Sequence, residues 1–357
     1  MNEFTYSYPV KIHFGEGAAA KHLPSELAKV GKEVAEFSGI MSNPTYAKVQ
    51  EGVAFARKEK VDFILAVGGG SVVDCCKIIS VQANLAEDIW EYECTGHMVH
   101  TEFIPMGAVV TVSGTGAEQN NGAVITNEEK RIKGAVLGAF AQFAVLDPAY
   151  TKQVPFCQVV SGAFDTLSHC METYFGRLQD VTISDEINEA VMRNVIRNIR
   201  MLIQDHGDMR ARSELMWASA MAENGILKIG KITDFQGHQI EHQLGAYTNC
   251  NHGMGLAVIH PALYRHIYKE NLVRFVRFAI EVWKVDCSGK EPETVALEGI
   301  QALADFIKEI GLPTTFTEMG ITDETILKAV ADTCNISAGC CKKLDREEIL
   351  EILRECL

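Results

Sequence analysis

The pattern of apolar and polar residues changes near residue 147 and predicts two domains. Before this point, short apolar runs alternate with helical patterns. The clearest run, VDFILAVGGGS at 61–71, is continuously apolar before three glycines, as expected of a parallel strand buried on both faces. After this point the strand signals vanish and long helical patterns dominate. The predicted fold is an α/β domain over 1–148 followed by an all-helical domain over 149–357.

The individual elements follow from the same periodicities. Pro9 lies in the first predicted strand and places that strand at a sheet edge, because proline donates no backbone hydrogen bond. The predicted strands are 6–14, 61–67, 103–112, 122–127, 132–136 and 143–146. The predicted helices are 45–58, 72–83, 155–175, 183–205, 209–228, 252–270 and 295–310.

Charge and cysteine usage exclude several classes of partner. The 357 residues carry a formal charge of −14, which disfavours nucleic acids and anionic membrane surfaces because both require a basic face. The first ten residues lack the apolar core of a signal peptide, and no run approaches the length of a membrane span. The eleven cysteines have no regular spacing and include no C-x-x-C pair. We expect a cytoplasmic protein with reduced thiols.

Three glycines and a serine, Gly68, Gly69, Gly70 and Ser71, follow the most buried predicted strand and open a helix. This is where an open α/β sheet binds ligands, and glycines let the backbone approach a pyrophosphate while the helix N-terminus offers N–H groups. Ser71 is predicted to cap the helix, with Asp74 three residues further on. The alternative reading is a tight turn without a ligand. No G-K-[ST] follows, so phosphoryl transfer is not indicated.

A second polar, glycine-containing segment, Thr111–Gly116, also follows an apolar run. Its hydroxyl and N–H groups suit a phosphate, ribose or carboxamide, and a plain turn is the alternative.

Carboxylate and imidazole groups recur at helical spacing in the second half. Asp165 and His169 are four residues apart, as are His238 and His242, so each pair shares a helix face, and His252 follows. One such pair commonly only solvates a helix. Two pairs and a third histidine within apolar segments indicate a site for a borderline ion such as Fe(II), Zn(II), Co or Ni. Such an ion acts as a Lewis acid on a carbonyl or alcohol.

Taken together, these motifs resemble the iron-containing (group III) alcohol dehydrogenases, in their butanol dehydrogenase-like branch. The resemblance extends from near the N-terminus into the helical half. The matching segments are KIHFGEG (11–17), VDFILAVGGGSVVDCCK (61–77), TVSGTGAEQNNGAVIT (111–126), FAVLDP (143–148), GAFDTLSHCMETYF (162–175) and GHQIEHQLGAYTNCNHG (237–253).

The resemblance implies a dinucleotide-binding domain followed by a helical metal-binding domain. It implies that Asp165, His169, His238 and His252 are the metal ligands. His242 would lie beside the nicotinamide and substrate as a proton-relay or positioning residue. The implied ion is Fe(II), with Zn(II) as the alternative, and the implied cofactor is NADP(H) rather than NAD(H). A homodimer is also implied.

The cofactor residues are implied in the same way. Gly68, Gly69, Gly70, Ser71 and Asp74 would hold the pyrophosphate and its loop. Thr111 and Thr115 would contact the nicotinamide end, and Lys133 would approach the ribose.

The chain departs from the family in one segment. Family members carry a further strand, a second glycine-rich loop and the start of a helix after the FGEG motif. This chain lacks that segment: GAAAKHLPSELAKVG connects the flanking parts directly, and the seam, where these parts join, lies between residues 20 and 27. The gap is about 30 residues, the size of one βαβ piece. The absent piece normally forms the adenosine side of the cofactor site, which separates NAD from NADP, and its loss would leave an inner strand unpaired.

The predicted function is the NAD(P)(H)-dependent interconversion of small primary alcohols and aldehydes at the metal. Two alternatives stay open. One is a metal-binding homologue whose catalysis and dinucleotide binding are impaired by the missing segment. The other is polyol oxidation of the glycerol dehydrogenase kind.

Overall fold

The computed structural model describes residues 4–30, 33–94, 102–177 and 179–357, with the side chains of residues 92–94 left aside. The chain divides into two compact units. The N-terminal unit is Ser7–Val154, and the C-terminal unit is Pro155–Leu357 together with the N-terminal segment that ends at Tyr6. An α/β unit followed by a mostly helical unit confirms the predicted fold class.

The division between the units falls somewhat later than the sequence pattern suggests. Asp147 caps the short 3-10 helix Pro148–Gln153 by accepting from the Ala149 N–H at 3.1 Å. This helix is thereby tied to the end of the last strand, so it belongs to the N-terminal unit.

Parallel strands form the main sheet of the N-terminal unit, in the order β1-β6-β3-β2, and β4 and β5 form a separate antiparallel hairpin. The strands are β1 (Lys11–Phe14), β2 (Ile64–Gly68), β3 (Met106–Val110), β4 (Gly122–Asn127), β5 (Ile132–Leu137) and β6 (Phe143–Leu146). The helices described in this unit are α1 (Ala18–Leu27), α2 (Tyr46–Glu59), α3 (Gly70–Gln82) and α4 (Ile89–Cys94).

The first strand is shorter than predicted. The prediction over 6–14 is wrong for residues 6–10, because β1 covers only Lys11–Phe14. Tyr6 belongs to the other unit, and Pro9 has no N–H to donate to a neighbouring strand. The edge position predicted for this strand is confirmed, since β1 is an outer strand of the sheet.

Helices cover both faces of the main sheet, and this explains the unbroken apolar strands. Along β6, Phe143 and Val145 pack against α1, whereas Ala144 belongs to the larger apolar cluster with α2 and α3. Gly107 of β3 lies opposite Phe143 in register, and a β-carbon there would overlap the Phe143 ring. Burial on both faces is the usual environment of a parallel sheet.

At the other edge of the sheet, β2 pairs with β3 alone among the described strands. Val67 of β2 is 56% exposed. In the described part of the preceding stretch, residues 33–44 form no strand. Such an open edge is what the loss of a neighbouring strand would leave. The predicted seam at 20–27 lies within α1, which is continuous although it contains Pro24.

The C-terminal unit is helical. The helices described in it are α5 (Phe156–Tyr174), α6 (Ile183–Gln204), α7 (Met209–Glu223), α8 (Gln236–Thr248), α9 (His252–Ile267), α10 (Leu272–Glu281), α11 (Pro292–Glu309), α12 (Glu324–Thr333) and α13 (Arg346–Glu355). Over the ranges that the structure describes, none of the helices is long and apolar enough to span a membrane.

Candidate functional site

Three helices of the C-terminal unit bring the predicted metal ligands together. Asp165 and His169 lie one turn apart on α5, His238 lies near the start of α8, and His252 is the first residue of α9. The side chain of Asn251 caps α9 by accepting from the Met254 N–H at 3.1 Å, which sets where this helix begins.

The three predicted imidazole ligands surround one carboxylate oxygen. The distances from Asp165 Oδ1 to the Nε2 atoms are 3.8 Å for His169, 3.6 Å for His238 and 3.4 Å for His252. Two ligands that each lie about 2.1 Å from a tetrahedral ion are about 3.4 Å apart. Each of these separations is therefore compatible with two ligands of a single ion.

Two of these four atoms are buried without a hydrogen-bond partner among the described residues. Within the described residues, Asp165 Oδ1 and His238 Nε2 are both buried and form no hydrogen bond. Such groups are costly unless something compensates them. Asp165, His238 and His252 form a group whose ligand atoms all lie within 4.8 Å of one another and could hold a metal ion.

Electrostatics at the site favours a charged carboxylate. Burial raises the pKa of Asp165, but the imidazoles of His169 and His252 lower it by more, so the net pKa is well below the usual range. Burial lowers the pKa of His169, which favours its neutral, metal-binding form. Burial also lowers the pKa of His238, but Glu172 and Asp165 raise it by more, to about 10.

Two buried carboxylates behind the site escaped the sequence analysis. Glu172 faces His238 Nδ1, and Glu241 faces His252 Nδ1. Each thereby orients an imidazole whose Nε2 points toward Asp165. A signal existed for both residues, since Glu172 lies seven residues after Asp165 on the same face of α5 and Glu241 lies between two of the candidate histidines.

His242, the predicted relay residue, is also buried beside the ligand set. The centre of its ring is 5.8 Å from that of His238 and 5.4 Å from that of His252. It also forms a second possible metal-binding group with Glu241 and His252. The structure thus places His242 next to the predicted ligands, and it shares His252 with the second group.

In the N-terminal unit, the two glycine-containing segments meet. The Thr111 N–H donates to the Gly68 carbonyl at 3.0 Å. A β-carbon on Gly70 would overlap the Thr115 side chain, so this close approach requires glycine. The helix α3 begins at Gly70, and its first hydrogen bonds run from the Val72 and Val73 N–H groups to the Gly69 carbonyl at 3.0 and 3.2 Å. The N–H groups of Gly70 and Ser71 precede these bonds, at the position where a helix N-terminus binds a phosphate.

The predicted cap of α3 is wrong. Gly69 occupies the cap position in an extended conformation and supplies no side-chain hydrogen bond. Ser71 is the second residue of the helix, because the helix starts at Gly70, two residues earlier than predicted.

Asp74 and Lys133 are both associated with the β4–β5 hairpin. Asp74 Oδ2 accepts from the Val124 N–H at 2.9 Å, which ties α3 to β4, and its Oδ1 is 3.6 Å from Nζ of the fully buried Lys77. Lys133 lies on β5 opposite Thr126 and is buried. Sequence reasoning missed Lys77, which donates to the Gly122 carbonyl at 2.6 Å.

Comparison with known families gives matches over both units. Residues 9–148 match the model "Iron-containing alcohol dehydrogenase", and residues 159–357 match "Fe-containing alcohol dehydrogenase family, C-terminal".

Individual relatives match along the whole chain. A probable NADH-dependent butanol dehydrogenase of Bacillus subtilis is 34% identical over 391 residues, covering 100% of both chains. The NADPH-dependent aldehyde reductase YqhD of Escherichia coli is 32% identical and covers 91% of both. The crystal structure of an NADH-dependent butanol dehydrogenase from Thermotoga maritima is 32% identical, with a TM-score of 0.91, and covers 100% of this chain and 99% of that one.

The Bacillus subtilis alignment also bears on the missing segment. Its 391 positions exceed the 357 residues of this chain by 34, so at least that many positions of the relative have no counterpart here. This difference is close to the size of the βαβ piece that the sequence analysis found absent.

Proposed function

The chain belongs to the iron-containing alcohol dehydrogenase family, and we propose that it interconverts small primary alcohols and aldehydes of about the size of butanol and butanal. Family membership makes it an NAD(P)H-dependent alcohol dehydrogenase or aldehyde reductase. The observation that carries the proposal is the convergence of three Nε2 atoms on Asp165 Oδ1 at 3.4–3.8 Å.

We propose Asp165, His169, His238 and His252 as the ligands of Fe(II), with Zn(II) as the alternative ion. One carboxylate and three imidazoles suit either ion. When bound, the ion would supply Lewis-acid polarisation of the substrate oxygen. The low pKa of Asp165 supports this assignment, because a ligand must be deprotonated to bind.

The remaining roles fall to side chains that surround these ligands. His242 is proposed to carry the proton that the substrate oxygen gains or loses, and its burial would keep bulk water from competing for that proton. A bound nicotinamide cofactor would supply the hydride chemistry, and the residues of the chain would bind and orient the two reactants.

The loop made by Gly68, Gly69, Gly70 and Ser71 is proposed to hold the cofactor pyrophosphate, through N–H groups at the start of α3. Asp74 would support this loop indirectly through its bond to Val124. Thr111 and Thr115 would lie at the nicotinamide end, and Lys133 would lie near the ribose. We propose NADP(H) as the preferred cofactor, as in the E. coli relative's name, whereas the names of the other two relatives specify NADH.

The test is a metal-reconstitution assay. Purified protein is loaded with Fe(II) or Zn(II) without oxygen, and oxidation of NADPH, and separately of NADH, is followed with butanal as substrate. We expect metal-dependent oxidation, and the ratio of the two rates gives the cofactor preference. The reverse reaction is run with butanol and with glycerol, which separates simple alcohol oxidation from polyol oxidation.

A matched pair of variants controls this assay. Replacing His238 and His252 together by alanine should abolish metal retention and turnover. His266→Ala removes a histidine of α9 that pairs with Glu348 and should leave both unchanged. Full activity in the double variant would contradict the ligand assignment.

A second candidate function is metal binding with weak dinucleotide binding and little catalysis. Two observations favour it. At least 34 positions of the Bacillus subtilis relative have no counterpart in this chain, and β2 forms an open edge of the described sheet. Calorimetric titration with NADPH and NADH decides between the two. Tight binding of either cofactor would exclude the second candidate, whereas metal-loaded protein that binds neither would favour it.

A further inference from the structure

Glu172 uses both carboxylate oxygens on the start of α8. Its Oε1 accepts the Gly237 N–H at 2.5 Å and the His238 N–H at 3.2 Å. Its Oε2 accepts from Nδ1 of the His238 ring. One buried side chain therefore holds both the backbone and the imidazole of a proposed metal ligand, which leaves Nε2 on the side of Asp165.

The surroundings leave this carboxylate little freedom to move. Glu172 is 1% exposed. A β-carbon on Gly237 would lie 2.8 Å from Glu172 Oε1 and 2.8 Å from Cε1 of His260, so the backbone of α8 is as close to the carboxylate as glycine permits. The Glu172 carboxylate is therefore held in place against the start of α8.

We propose that Glu172 is a positioning residue that determines which nitrogen of His238 carries the proton, and that it does so by having two acceptor oxygens. With a proton on Nδ1, His238 presents the lone pair of Nε2 to an ion. This inference rests on the metal site proposed above.

An uncharged amide of the same shape cannot perform this task. Glutamine has one acceptor oxygen, and two backbone N–H groups already require it at the Oε1 position. Its NH2 group would then face Nδ1 and turn that nitrogen into an acceptor. The ring proton would move to Nε2, where it points at Asp165 Oδ1, 3.6 Å away, and blocks the ion. If the glutamine amide were instead rotated so that its oxygen faced Nδ1, its NH2 group would face the backbone N–H groups of Gly237 and His238, and donors would then face donors.

Glu241 makes the corresponding contact with His252, but its second carboxylate oxygen faces a different kind of group. Its Oε2 faces His252 Nδ1, and its Oε1 lies 3.7 Å from the Cys250 sulfur. A thiol donates or accepts, so it tolerates either orientation of an amide, unlike the two backbone N–H groups at Glu172. Glu241→Gln is therefore a comparison variant, because Glu241 likewise faces the Nδ1 atom of a proposed ligand.

The experiment measures Co(II) affinity by competition with a chelator, the Co(II) absorption spectrum, and urea unfolding of the metal-free protein. The variants are Glu172→Gln, Glu172→Asp, Glu241→Gln and the control Glu189→Gln. Glu189 is a buried carboxylate on α6 that accepts from the Tyr174 hydroxyl and pairs with Arg277. The control thus removes a buried charge without touching a proposed ligand.

We expect Glu172→Gln to weaken Co(II) binding by about 10- to 100-fold and to alter the spectrum. Glu241→Gln should weaken it less, and Glu189→Gln should stay within about twofold of the parent protein even if its unfolding midpoint falls. Glu172→Asp keeps two acceptor oxygens, so it should stay within about tenfold of the parent even if Glu172→Gln does not fold.

Three results would overturn the proposal. They are unchanged affinity in Glu172→Gln, a loss in Glu172→Asp as large as in Glu172→Gln, and a loss confined to Glu241→Gln. The last result would mean that the ion binds the group of Glu241, His242 and His252 instead. Failure of the proposed function is distinguishable, because a parent protein that binds Co(II) but reduces no aldehyde contradicts only the reaction.

Discussion

The close contact between α5 and α9 makes Gly253→Ala a sensitive test of how the proposed metal site is built. Gly253 follows His252 in the first turn of α9. A β-carbon at this position would lie 2.9 Å from the carbonyl carbon of Ser161 on α5, with the carbonyl oxygen nearer still. The obstacle is backbone, so no side-chain rotation relieves it.

The size of the effect follows from these distances. Ordinary van der Waals contact begins at 3.4 Å, so the two helices must separate by at least about 0.5 Å. Metal–ligand distances hold to about 0.2 Å, so this displacement of His252 relative to Asp165 exceeds what the site tolerates. Overpacking of this kind costs about 1–3 kcal/mol of folding free energy. We expect Co(II) affinity to fall by about tenfold or more.

The assay is chelator competition for Co(II), together with urea unfolding of the metal-free protein. Gly134→Ala is the matched control, because a β-carbon on Gly134 would meet nothing within 4 Å. The control should change neither quantity. A Gly253→Ala protein that binds Co(II) within about twofold of the parent would refute the reasoning, since the ligands would then tolerate a shift of α9.

Three further predictions concern the cofactor loop, a buried ion cluster and the metal itself. Gly70→Ala should weaken NADPH binding in calorimetry, because the added methyl group overlaps Thr115, and unchanged binding would contradict a role for this loop. Asp185→Asn should lower the free energy of unfolding by about 3–5 kcal/mol in urea titration. Asp185 Oδ1 lies 2.6 Å from Lys231 Nζ and 2.8 Å from an Arg274 nitrogen, and the variant leaves both of these cations buried without the negative charge. Burial raises the pKa of Asp185, but Lys231 and its other partners lower it to a net value below normal, so its contribution is present above the unfolded-state pKa and is lost as pH falls through the folded-state pKa. The variant should therefore lose less stability on acidification than the parent, and parallel pH curves would argue against this. The unfolding free energy is measured with free Zn(II) at a thousand times its dissociation constant and again after a chelator has removed the metal. Removal should lower it by about 4 kcal/mol, and the His238 and His252 double variant should show no such change.

The order and type of most elements, and the candidate ligands, could be predicted from local sequence patterns. Its apolar runs predicted 122–127 and 143–146 as strands, and these are β4 and β6 with the same bounds. Helical spacing put Asp165 and His169 on one face of α5. These features depend on neighbours a few residues away, so local periodicity is enough to specify them.

Contacts between groups that are distant in sequence could be identified only in the folded structure. Glu172 faces His238 across 66 positions of sequence, and Asp74 accepts from Val124 across 50. The same holds for Gly253, whose lack of a side chain matters only because the Ser161 backbone packs against it. No local pattern encodes these contacts, because they follow from how whole helices and strands pack, and packing at this density leaves only a few tenths of an ångström to spare.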